Sequence, residues 1–230
     1  GGEPERGRAP AEKMLALGTT SHQASERAFA AYGLANVKAI LGELDAELTS
    51  AFLTAAQTEG SRTAQSYALS TAARMFMNAD EDKAIRMMEE ACEIARSVSS
   101  GDALGNALLN LLSPMIDRLL LDDAADQAAS TLEQMRELGN VAIQRSALGL
   151  CQVVLQRRHQ LDLAALVSGH LADRRQPITP LEQQRYDNSV NLLEAALDPE
   201  QLVQWREAGR SKSTREVTNE VVAALGSEMV

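Results

Sequence analysis

From Ser21 onward, apolar residues recur at three- and four-residue spacing, the rhythm of helices with one buried stripe. In "DKAIRMMEEACEIARSV", Ala84, Ile85, Met88, Ala91, Cys92 and Ala95 share a stripe, and in "SYALSTAARMF" Tyr67, Ala68, Thr71 and Ala72 do the same. Short polar turns of two alternating kinds interrupt the rhythm. One kind is "TEGSR" (58–62), "SSGDA" (99–103) and "LGNVA" (138–142); the other is "GELDAE" (42–47), "NADEDKA" (78–84), "LDDAADQA" (121–128) and "HQLDLAA" (159–165). An Asp recurs in the second kind at Asp45, Asp82, Asp126 and Asp162, at intervals of 37, 44 and 36 residues. An Asp at a helix start accepts hydrogen bonds from free backbone N–H groups and complements the positive helix end. A two-helix period of that size is the signature of a helical-repeat solenoid, in which neighbouring pairs must stack to bury both faces.

The pattern predicts four helix pairs: 24–41 with 45–58, 62–77 with 81–98, 102–120 with 123–138, and 141–157 with 162–173. Pro114 falls inside the fifth helix and is expected to kink or split it, because it lacks an N–H and crowds the preceding turn. Beyond Arg175 the rhythm changes. Thr179, Pro180 and Glu182 form one helix-start device, Asp198, Pro199 and Gln201 a second, and Ser213 with Glu216 a third. Three starts predict helices over 180–197, 199–209 and 214–225, an atypical unit that caps the open end of the repeats. The expected fold is all-α: a solenoid of about four helix pairs with a three-helix C-terminal cap. The expected divisions are a disordered tail over 1–20, repeats over 21–175 and the cap over 176–230.

Composition sharpens this picture. Hydrophobic residues make up 45% of the 230, but aromatics only 3%, so the core must come from Ala, Leu, Val, Ile and Met. Ala and Leu favour helices, and small side chains allow them to approach closely. The formal net charge of -10 repels phosphate backbones and anionic lipid surfaces, which argues against nucleic-acid or membrane partners. No apolar run reaches the ~18 residues of a membrane span. The polar start "GGEPERGRAPAEK" shows no apolar signal-peptide segment and no initiator Met, the marks of a cytoplasmic chain that is a fragment or a processed product. Cys92 and Cys151 are far apart and outside any CxxC motif, which reads as two buried reduced thiols.

The C-terminal third resembles the end of the tetratricopeptide-like repeat region in large actinobacterial regulators, the LuxR-type and adenylate-cyclase-type signal-transduction ATPases. Ala164, Ala165, Leu166 and Gly169 match the small-residue helix; Pro177, Pro180 and Leu181 the turn; and Arg185 and Tyr186 the next helix. Trp205, Ala208 and Gly209 match the Trp–Gly element, and Glu216, Val217, Ala224 and Leu225 the last helix. The match runs from Ala164 to Leu225; upstream, only the repeat pattern is shared. His170 stands where a small residue is usual, "LDPEQL" replaces a Gly- and Phe-containing segment, and no helix-turn-helix follows Leu225. The resemblance implies a repeat module of a regulator rather than its DNA reader.

Chemistry is weakly signalled. "AGRSKST" (208–214) has Ser211 before Lys212 and Arg206 where a phosphate loop needs glycines, so it reads as a basic helix turn. His22, His159 and His170 show no metal spacing, no Ser sits in a nucleophile elbow, and Glu89–Glu90 reads as a solvated face. His170 is expected to pack within the small-residue helix or at its rim. The methionines 75, 77, 87, 88, 115 and 135 read as core fillers.

In tetratricopeptide folds the first helices of the pairs line a concave groove. That resemblance places Asn106 and Asn110 there, with Gln65 and Arg145 on corresponding faces, as candidate contacts to a partner or effector. Thr179, Pro180, Glu182, Tyr186, Trp205 and Gly209 are expected to build the cap, with Leu181, Tyr186, Val190 and Leu193 facing inward. The expected function is non-catalytic, with no cofactor. The module would mediate protein–protein contact, oligomerisation or effector sensing, and its partner would be a protein or peptide, including the regulator's own upstream domains. A free-standing adaptor, or an all-α cofactor-binding enzyme domain, is the alternative.

Overall fold

The computed structural model describes residues 4–20, 33–34, 37–38, 41, 43, 46–58, 61–77, 80–117, 121–174 and 180–226. Among them the chain is all-helical, with no strand. The long helices are α1 (Pro4–Thr19), α2 (Ala46–Thr58), α3 (Arg62–Phe76), α4 (Glu81–Ser97), α5 (Gly101–Asp117) and α6 (Leu121–Glu137). They continue with α7 (Val141–Arg157), α8 (Leu161–Leu171), α9 (Pro180–Ala196), α10 (Pro199–Ser211) and α11 (Thr214–Gly226).

One turn recurs where α4, α6 and α7 end. After α4, the N–H of Ser99 bonds to Arg96 O and that of Ser100 to Ala95 O. Gly139 and Asn140 repeat this with Arg136 and Met135, and His159 and Gln160 with Gln156 and Leu155. Ser99 (φ 53°), Gly139 (φ 69°) and His159 (φ 59°) supply the left-handed residue that this Schellman geometry requires. From Ser99 to Gly139 is the length of one helix pair, and from Gly139 to His159 that of one helix.

Starts are capped where an oxygen is well placed. Ser61 accepts from Ala64 N, Asp80 from Lys83 N, Asn140 from Ile143 N and Asp198 from Glu200 N. The recurring Asp is therefore not the cap it was expected to be. Asp82 lies inside the first turn of α4, where Asp80 caps; Asp126 lies within α6; and Asp162 is the second residue of α8, after Gln160. Asp45 lies outside the described residues. Pro114 does not split α5, which runs through it to Asp117.

The chain divides into two compact units, 1–111 and 112–230, with the boundary inside α5. This differs from the expected divisions at 20 and 175. In the first unit, α3 packs on α2 and α4. The predicted stripe of α4 is buried at Ala84, Met88, Ala91, Cys92 and Ala95, while Ile85 is half-buried and Ile94 joins the core. Ser66 Oγ donates to Ala91 O at 2.8 Å, tying α3 to α4. The expected disordered tail is instead α1. Its run "AEKMLAL" consists of strong helix formers, and Leu15 packs against the cluster of Ala56, Ala64 and Ala68.

In the second unit, α7 lies against α6 and α8, and its residues 147–155 are buried throughout. The C-terminal helices fold back over this trio: α9 meets α7 and α8, α10 meets α8, and α11 meets α6, α7 and α8. They belong to the same compact unit as the helices they were expected to cap.

Candidate functional site

The predicted groove residues divide between the units. Gln65 is half-buried on α3. On α5, one turn apart, Asn110 Nδ2 donates to Asn106 Oδ1 at 3.1 Å. That bond occupies one end of each amide and leaves the Asn106 NH2 and the Asn110 carbonyl to other partners. Arg145, on α7 in the second unit, gives its Nε–H to Thr214 Oγ1 at 3.4 Å, so it is tied to the start of α11.

Of the predicted cap residues, Thr179 and the side chains of Pro180, Leu181 and Glu182 lie outside the described residues, although α9 does begin at Pro180. Tyr186 is half-buried, its hydroxyl donating to Ser168 O at 3.4 Å. Leu193 is fully buried and Ser189 nearly so, while Val190 is half-buried; the inward stripe of α9 therefore runs through 186, 189 and 193. Trp205 is only half-buried, so it does not close the unit as a full core residue. That role falls to glycine. A Cβ on Gly169 would lie closer than 3.0 Å to the Arg206 backbone, and one on Gly209 equally close to Leu166 O. The backbones of α8 and α10 touch at this pair, an approach that only hydrogen side chains permit.

His170 fills the space beside the crossing and is 1% exposed. Arg174 Nη1 stands 2.7 Å from its Nδ1, and since a guanidinium can only donate, Nδ1 is the acceptor. Nε2 then carries the proton and donates to Thr214 Oγ1 at 3.2 Å. Arg174 also donates to the carbonyls of His170, Arg210 and Lys212. Burial, then the positive charges of Arg174 and Arg145, hold the His170 pKa below its ordinary value, against a smaller opposing pull from the Gly209 and Lys212 carbonyls. The imidazole is thus a neutral bracket joining α8 to α11.

A cleft of about 480 Å3 opens between α7 and α9. Val153, Leu161, Leu192 and Ala196 supply apolar wall, with Leu192 58% exposed. Gln156, Arg157, His159, Arg185, Asn188 and Ser189 supply the polar lining, and no carboxylate lines it among the described residues. Arg157 Nη1 donates to Ile116 O and Arg185 Nη1 to Ser113 Oγ at 2.6 Å, so both guanidiniums are anchored on one face of the α5 C-terminal turn. A cation there satisfies terminal carbonyls and complements the negative helix end. Buried Gln152 donates to Ser189 Oγ at 3.0 Å, and its own Oε1 has no partner among the described residues. Gln156 Nε2 donates to Ser189 O at 3.3 Å.

Sequence reasoning did not find this cleft, because its residues come from helices that are not neighbours in the chain and converge only through helix rotation. One signal was present. In "NSVNLLEAA" two leucines are adjacent, and only one can face the core, so Leu192 had to be left outside.

Cys92 and Cys151 are free and buried; burial pushes the Cys92 thiol up to about 11 and the Cys151 thiol further still, so both stay protonated at neutral pH. Among the described residues, no group of His, Cys, Asp and Glu is arranged to hold a metal ion, and no helix is long and apolar enough to cross a membrane. No protein-family model matches the chain, and no curated protein matches it.

Proposed function

We propose that the chain is a non-catalytic, tetratricopeptide-like module of a bacterial regulator that works in the cytoplasm by binding. Its partner is a protein or peptide, including other domains of the same regulator. The supporting observation is serial repetition: one Schellman turn ends α4, α6 and α7, at Ser99, Gly139 and His159, and within each unit successive helices pack on their sequence neighbours, α3 on α2 and α4 in the first and α7 on α6 and α8 in the second. Stacked repeats of this kind present extended surfaces, and such surfaces bind partners. The Asn106–Asn110 pair offers one amide donor and one carbonyl acceptor, the complement of an extended peptide backbone.

The test is capture of the ATPase or cyclase domain encoded with this module, using the immobilised chain and the Asn110→Ala variant. Binding by the wild type that falls at least several-fold in the variant supports the reading. No capture, or turnover of ATP by the chain alone, overturns it.

A further inference from the structure

We propose that the α7–α9 cleft binds a small organic carboxylate with an apolar body, which makes this unit the effector-sensing part of the module; the proposal rests on the binding-module reading above. The chain carries a net charge of -10, yet among the described residues this cleft is lined by two arginines and no acid. An anion therefore finds here a local field opposite to that of the molecule as a whole.

Arg157 is the anchor. It is half-buried, and its bond to Ile116 O holds the guanidinium in place while using one of five N–H donors. A planar guanidinium already held at one corner matches a carboxylate with little further ordering. Ser189 is 2% exposed and lines the same cleft. Its oxygen already accepts from Gln152, which leaves its O–H proton to give to a second carboxylate oxygen. Asn188 adds an exposed amide on the same wall. Beside these polar groups, Val153, Leu161, Leu192 and Ala196 supply apolar surface that water covers at a cost and that a short alkyl or aryl body would dehydrate. The volume of about 480 Å3 lies within the ~300–1,000 Å3 range of small-molecule pockets. A cation would meet the fixed Arg157 guanidinium, and a neutral alcohol would leave its remaining donors without a charged acceptor.

The probes are octanoate, octan-1-ol and octylamine, titrated by calorimetry into the full chain. Octanoate should bind at one site per chain, octan-1-ol about tenfold or more weaker, and octylamine not at all. Arg157→Gln should weaken octanoate about tenfold or more, and Leu192→Asp should do the same by placing a carboxylate in the wall. Leu192 is exposed, so the second variant keeps the test valid if loss of the Ile116 contact unfolds the first. No octanoate binding, octylamine binding as tight as octanoate, or unchanged affinity in either folded variant overturns the proposal. If octanoate fails to bind while partner capture is intact, only the cleft assignment falls. If capture also fails, the binding-module reading falls with it.

Discussion

At the scale of single residues, the contacts that set the second unit's geometry are those of Gly169, Gly209 and His170. Adding a methyl at either glycine drives it into backbone, which cannot swing aside as a flexible side chain can. Gly169→Ala and Gly209→Ala should each lose stability at the upper end of ~1–3 kcal/mol, whereas Gly226→Ala, with open space around it, should be neutral or slightly stabilising in urea denaturation. His170 gives a pH signature. Its folded pKa is depressed, so the unfolded chain takes up the proton first as pH falls through 6.5. Stability is therefore full above that value and declines below it, as charging would set an imidazolium against Arg174, with Arg145 adding to the repulsion. Glu43, held low by Arg8, and Glu216, held low by Ser213, act only below about 4.5 and leave the His170 window separate. The urea midpoint of the wild type should fall between pH 7.5 and 5.5 more than that of His170→Gln; equal falls would remove His170 as the cause. The family resemblance singled out the two glycines, Gly169 in a small-residue helix and Gly209 in a Trp–Gly element. The sequence did not announce that they meet, since they lie in separate helices with α9 between them, nor that Arg157 and Leu192 share a cleft.

At the scale of elements, the helix pattern was readable because burial follows a short period. Ala84, Met88, Ala91, Cys92 and Ala95 lie within one helix, and their common face is a matter of local geometry alone. Helix ends were read less well. The repeated Asp drew attention to helix starts, but the repeated structure lies at helix ends, where a left-handed residue is needed and where the sequence offers Ser, Gly and His in turn. With only one glycine in three copies, the motif is invisible to a search for glycine. Ser99 and His159 consequently sit in a conformation that costs an L-residue roughly 1–2 kcal/mol. Ser99→Gly should stabilise the chain by roughly 0.5–1 kcal/mol after the glycine's own entropy cost, while Gly139→Ala should destabilise it by about 1 kcal/mol. Opposite signs for these two changes, read from thermal midpoints, check the motif; a destabilising Ser99→Gly would contradict it. The box at α11 is reciprocal, with Ser213 N donating to Glu216 Oε2 at 2.8 Å and Glu216 N to Ser213 Oγ at 3.3 Å, so Ser213→Ala should cost ~1 kcal/mol.

At the scale of the whole molecule, composition predicted the class and missed the partition. Few aromatics and many alanines do specify close-packed helices, and the described residues contain no strand. The division into 1–111 and 112–230 depends on α10 returning to α8 and α11 returning to α6 and α7, contacts between segments too distant for any periodicity to encode. Charge acts at this scale as well. Asp and Glu outnumber Lys and Arg by 32 to 22. The described ion pairs, such as Arg206–Glu194 at 3.1 Å, are partly exposed and contribute little each. The acidic excess is the larger effect, since ten like charges repel one another more strongly in the compact state than in the expanded one. Salt shortens the range of that repulsion to about 8 Å at 0.15 M and about 3 Å at 1 M. Sodium chloride should therefore raise the thermal midpoint steadily between about 0.02 and about 0.5 M, concentrations chosen to span that screening range. A midpoint that fell over the same range would mean that surface ion pairs, not net charge, dominate the electrostatics of the fold.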